Sequence, residues 1–90
     1  MNKVPNLDAM NEKELNKFIA TYDNLSESQA ATVIGCEPAE AVKIASKLSG
    51  YAYHRLLATG YYKSGQTDLI AKHDKKCADI YGTLPVEIRW

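Results

Sequence analysis

What the chain has little of sets the first limits. Proline occurs three times and glycine five times in 90 residues, while alanine and lysine are plentiful, so little interrupts helices. No apolar stretch approaches the roughly 20 residues needed to cross a bilayer, and no charged-then-apolar leader opens the chain at Met1. A cytoplasmic protein without membrane contact is expected. Cys36 and Cys77 are too few for a disulfide framework, and in that compartment both are expected as free thiols. The net charge is zero, which argues against a general nucleic-acid coat. Catalytic signatures are missing too: no glycine-rich phosphate loop, no H-E-x-x-H, no paired-cysteine zinc spacing. His73 and Cys77 stand four apart, but zinc takes three or four protein ligands, so they are read as a core residue and its border. His54 has no acid close in sequence to orient it as a base. Neither an enzyme, nor a metal, nor a cofactor is expected.

What is present points to one helical domain over residues 1–90. The apolar share of 46% is ordinary for a folded chain. Residues 11–22 read as a first helix, with Asn11 as N-cap and Glu14 at the capping-box position. Leu15, Phe18, Ile19 and Tyr22 then make one apolar stripe. Residues 1–10 before it are expected to be loosely ordered. Ser26 restarts the chain as the cap of a short second helix, 27–34, which Gly35 closes. Pro38 suits the first turn of a third helix reaching about residue 63, on which Ala41, Ile44, Ala45, Leu48, Ala52, Leu56 and Thr59 share a face. Gly50 and Gly60 interrupt that helix at about 1 kcal/mol each against alanine, so a backbone requirement or a close helix crossing is expected there.

Ser64-Gly65 then turns the chain. A fourth helix opens at Gln66 or Thr67 and carries Ile70, His73, Cys77, Ile80 and Leu84 at helical spacing. Pro85 ends it, because the residue before a proline leaves the helical region. The expected fold is all-α, with about four helices. A long antiparallel C-terminal helical hairpin carries two shorter N-terminal helices.

Three features bear on function. Lys43, Lys47, Tyr51 and Arg55 follow one another every four residues and are read as one slowly turning ridge, with Tyr61 and Tyr62 near its end. Tyrosine beside lysine and arginine suits an interface with a host protein or a second copy of the chain. A nucleotide held between subunits is the lesser alternative, and the bland one is a solvated helix face. Charge is also divided along the chain. Residues 1–42 carry seven acids against three bases, a balance of −4, and residues 43–90 carry eight bases against four acids, +4. Such a division can bring copies together as an oligomer.

The segment 28–48, SQAATVIGCEPAEAVKIASKL, resembles a helix-turn-helix, with Ala31 and Gly35 at the packing and turn positions. Ile34, Cys36, Val42 and Ile44 would form its apolar set. This resemblance implies a DNA-binding alternative in which Glu40, Lys43, Ser46 and Lys47 face the major groove. The turn is about one residue long for the pattern, and no arginine is placed to read guanine.

The closing CADIYGTLPVEIRW contains the only tryptophan as its last residue. Cys77, Ile80, Tyr81, Leu84, Pro85, Arg89 and Trp90 make a C-x-x-I-Y-x-x-L-P-x-x-x-R-W box. With Gly65 at the preceding turn, the second half resembles a group of small helical proteins encoded by bacteriophages and prophages. The resemblance implies a phage origin and a helical fold, with the host cytoplasm as location and stoichiometric binding of a host factor as the mode of action. The box itself is read as a structural clasp. Val86, Ile88 and Trp90 are expected to alternate along an extended return. Trp90 is expected to fold back on the hairpin over Ile80, Leu84 and Leu57.

Overall fold

A computed structural model describes residues 4–90, with the side chains of Tyr61 and Tyr62 outside the description. A 3-10 turn (Leu7–Ala9) precedes α1 (Glu12–Tyr22) and α2 (Glu27–Ala30). A π-helical turn (Ala31–Gly35) leads into α3 (Pro38–Ser64), followed by α4 (Thr67–Thr83) and a last 3-10 turn (Val86–Ile88). No strand occurs among the described residues. The protein is therefore all-α, with α4 packed closely on α3 and with α1 and α2 packed on α3 as well.

Local chemistry explains where the helices begin and end. The Asn11 side chain accepts from the Glu14 amide at 2.8 Å, and the Glu14 side chain accepts from the Asn11 amide at 3.2 Å. Ser26 and Gln29 repeat the same reciprocal cap at the start of α2. Gly35 and Gly65 hold φ angles of 83° and 75°, the left-handed region that favours glycine, at the two sharp changes of direction. Leu84 turns extended before Pro85 and stops α4.

α3 has 27 residues, and at 1.5 Å per residue it is about 40 Å long. The long axis of the molecule is 41 Å, so α3 is its spine. α1 runs antiparallel to it. Glu12 accepts from Lys63 at 2.9 Å near one end, and Asp23 accepts from the buried Ser49 hydroxyl further along. Small residues on the spine, Ala41, Ala45 and Ala52, are fully or nearly buried beside Ile44 and Leu48. Leu15 and Phe18 of α1, Ile34, Cys77, Leu84 and Ile88 belong to the same core.

Three expectations are corrected. Residues 4–10 are docked rather than loose: Val4 and Leu7 are buried, Leu7 with no exposed surface, and Asn6 caps its turn by accepting from the Asp8 amide. Burying Leu7 removes enough apolar surface from water to hold so short a segment. Val42, placed in the apolar set of the helix-turn-helix reading, is 36% exposed, while Ile34 and Ile44 of that set are buried. The residues after Pro85 form a turn rather than an extended strand, with Ile88 buried and Val86 73% exposed.

The glycines inside α3 have no structural requirement of the kind expected. Neither has a positive φ; a Cβ on Gly50 would make ordinary contact with Ile80 at 3.8 Å, and one on Gly60 would meet nothing within 4 Å. Gly60→Ala is therefore expected to stabilise the protein by about 1 kcal/mol and raise its melting temperature by about 5 °C. Thermal unfolding followed by circular dichroism checks this, and an unchanged or lower melt would show that Gly60 serves something other than helix continuity. No helix among the described residues is long and apolar enough to cross a membrane.

Candidate functional site

The docked N-terminal turn delivers Asp8 to the middle of α3, and three side chains converge on it. The Tyr51 hydroxyl donates to Oδ1 at 2.6 Å and the Trp90 indole Nε1 donates to Oδ2 at 3.0 Å. Arg55 Nε lies 3.5 Å from Oδ1. One carboxylate thus ties together the first described turn, the spine and the last residue. Nothing in the sequence pattern singled out Asp8. Only Leu7, apolar between polar neighbours, hinted that this turn docks.

Around Asp8 the aromatic rings close on one another. Trp90 meets Tyr51 and Tyr81 edge-to-face, with centroids 4.9 and 4.8 Å apart. The Tyr81 hydroxyl donates to the Trp90 main-chain oxygen at 2.6 Å. Arg89 donates to the Leu84 and Gly82 carbonyls, both at 3.0 Å, and its guanidinium stands 5.5 Å from the Tyr81 ring centre. Trp90 does fold back over the hairpin, but its ring partners are Tyr51 and Tyr81. Leu57 is only partly buried.

Beside this junction a groove follows the α3–α4 seam. A cavity of about 380 Å³ is lined by Asp8, Tyr51, Arg55, Asp74, Cys77, Ala78, Tyr81 and Trp90. A second, of about 310 Å³, is lined by Arg55, Ala58, Thr59, Ile70 and Asp74. Arg55 and Asp74 border both, so the two are lobes of one groove, aromatic on one side and aliphatic on the other. Spacing of three and four along each helix brings these side chains to one line.

Cys77 is 4% exposed and lies in the floor, its thiol donating to the Tyr51 carbonyl at 3.7 Å. Burial pushes that thiol up to about 11, with Arg55 opposing and Asp74 and Asp8 adding. It is protonated and unreactive at neutral pH. Both cysteines are free. Burial and then the Asp8 bond raise Tyr51 well above the usual phenol range.

The expected ridge is divided. Lys43 and Lys47 are exposed, and Lys47 Nζ reaches the Thr83 carbonyl at 3.5 Å. Tyr51 is only 6% exposed and turned into the junction, with Arg55 partly covered beside it. The reason is geometric. Each four-residue step advances about 40° around a helix, so three steps carry the row about 120°, from solvent into the seam. Tyr51 is therefore corrected from a surface contact to a wall of the groove. The side chains of Tyr61 and Tyr62 lie outside the described residues.

A second cross-helix contact pairs His54 of α3 with His73 of α4. Their Nδ1 atoms are 2.8 Å apart and their rings stack with centroids 5.0 Å apart. One nitrogen must donate and the other accept, so the bond fails when both rings are protonated. Partial burial, then His73 and Lys76, lower the pKa of His54. The folded state thus favours neutral His54, and this contribution is complete above the unfolded value of about 6.5 and is lost as pH falls from there through the lower folded value. Wild type is expected to lose more melting temperature than His54→Gln between pH 7.5 and 5. Parallel losses in the two proteins would remove His54 from the account.

In the segment resembling a helix-turn-helix, α2 and the π-helical turn lead to α3 at Pro38. Glu37, Glu40, Lys43, Ser46 and Lys47 are exposed there. No protein-family model, curated protein or solved structure matches the chain.

Proposed function

We propose that this is a non-enzymatic, phage-type accessory protein of the host cytoplasm that binds a host protein stoichiometrically. Its contact face runs from Lys47 to the groove around Arg55 and Asp74. The observation that supports this reading is the groove itself, where both long helices and the docked tail bring arginine, tyrosine and tryptophan to one open concavity. These residue types dominate the energy of protein interfaces. A rigid helical seam presents them without ordering cost on binding.

The test is capture from bacterial lysate on the immobilised protein, with bound proteins identified by mass spectrometry. The wild type is expected to retain one partner in stoichiometric amount. Lys47→Glu/Arg55→Glu is expected to lose it while keeping its helical circular dichroism. Undiminished capture by that variant would reduce the face to a solvated surface.

The DNA-binding alternative needs phosphate contacts from the start of α3, where Glu37 and Glu40 are exposed beside Lys43 and Lys47. No shift of duplex DNA is expected at micromolar protein and low salt. A salt-sensitive shift would favour the DNA reader instead.

A further inference from the structure

We propose that the α3–α4 groove is a recognition site for an organic ammonium ion bearing an alkyl chain, with Asp74 as its counter-ion. The proposal rests on the binding reading only in placing recognition on this face.

Charge comes first. Two carboxylates and one guanidinium line the groove, so its walls carry a net negative charge. The three groups are not equally available. Asp8 already accepts from Tyr51 and Trp90 and holds Arg55 at 3.5 Å. Arg55 is thereby drawn to the Asp8 side. Asp74, exposed on the opposite helix, makes no hydrogen bond or ion pair among the described residues. A cation entering the groove meets a carboxylate without a partner, whereas an anion would meet a guanidinium that one carboxylate already engages.

The walls favour the same sign. Tyr51, Tyr81 and Trp90 border the first lobe, and aromatic side chains are favourable neighbours for an ammonium group. Tyr81 already attracts one cation in this way, the Arg89 guanidinium at 5.5 Å. The second lobe, lined by Ala58, Thr59 and Ile70, offers about 310 Å³ for an alkyl chain. An ammonium head between Asp74 and the aromatic lobe, with its chain toward Ile70, satisfies both halves of the groove. A lysine or methylated lysine side chain of a partner and a free alkylamine share this chemistry.

Trp90, the only tryptophan, lines the groove and reports on its occupancy. The experiment titrates the protein with hexyltrimethylammonium chloride and, at matched ionic strength, with sodium hexanoate, following Trp90 fluorescence. A saturable change with the ammonium probe in the millimolar range is expected, and none with hexanoate. Asp74→Asn is expected to weaken binding at least tenfold without changing the melting temperature. Asp79→Asn, which removes an exposed acid of α4 that does not line the groove, is expected to bind as wild type does. The proposal is overturned if hexanoate binds as well, if no saturable change appears, or if Asp74→Asn binds unchanged. Equal weakening by Asp79→Asn would also overturn it, by showing only general charge attraction.

The probe does not require the lysate partner, so its failure is separate from failure of the binding reading. Displacement of the captured protein by the probe would identify the ammonium as a partner side chain. Probe binding without displacement would identify a free amine.

Discussion

Trp90→Ala is expected to destabilise the protein by about 3 kcal/mol and lower its melting temperature by about 15 °C. Trp90 is only partly buried, so the lost burial lies at the lower end of the range for a large aromatic side chain. Its edge-to-face contacts with Tyr51 and Tyr81, about 1 kcal/mol each, are included in that total. The indole N–H bond to Asp8 goes with them. Val86→Ala, four residues earlier but 73% exposed, serves as the control and is expected to change stability by no more than about 0.5 kcal/mol. If Trp90→Ala melts with wild type and loses only the captured partner, the tail is an anchor for something else and the clasp is wrong.

Asp8→Ala is expected to cost about 2 kcal/mol, a drop of about 10 °C, although Asp8 itself is an exposed residue. An exposed aspartate ordinarily tolerates replacement within about 0.5 kcal/mol. The larger effect is expected because the Tyr51 hydroxyl belongs to a buried residue and loses its charged acceptor, while Trp90 and Arg55 lose theirs together. Pairing Asp8→Ala with Tyr51→Phe separates the causes. Removing the orphaned hydroxyl is expected to recover part of the loss. A full-size loss in both proteins would assign the effect to the turn backbone instead.

The features legible in the sequence were those set by near neighbours. The Asn11–Glu14 box, the Gly35 and Gly65 turns, the Pro85 stop and the apolar stripes of α1, α3 and α4 each depend on residues a few positions apart. Together they define the all-α hairpin with its two shorter helices. The site was less legible because its parts are distant in the chain: Asp8 meets Trp90 across 82 positions.

The ridge from Lys43 to Arg55 was legible as a turning row, but not that its turn carries Tyr51 out of solvent. A four-residue spacing keeps neighbours adjacent but rotates a longer row out of one face. Val86 and Ile88 misled through their spacing. Two positions apart they share a face in a strand, but in a 3-10 turn they stand about 240° apart, so one is buried and the other exposed. Leu7 carries only the slight local signal of an apolar residue between polar neighbours, and Asp8 carries none.

The claim that organises both the groove and the stability of the fold is that Asp8 ties Trp90 to the spine. A double-mutant cycle of Asp8→Asn and Trp90→Phe, read by denaturant unfolding, measures that tie while keeping an aromatic ring at 90 and a polar side chain at 8. The two losses are expected to be non-additive by about 1 kcal/mol, because either substitution alone removes the same charge-assisted bond. Losses that add to within about 0.3 kcal/mol would contradict the clasp and leave the groove without its closing wall.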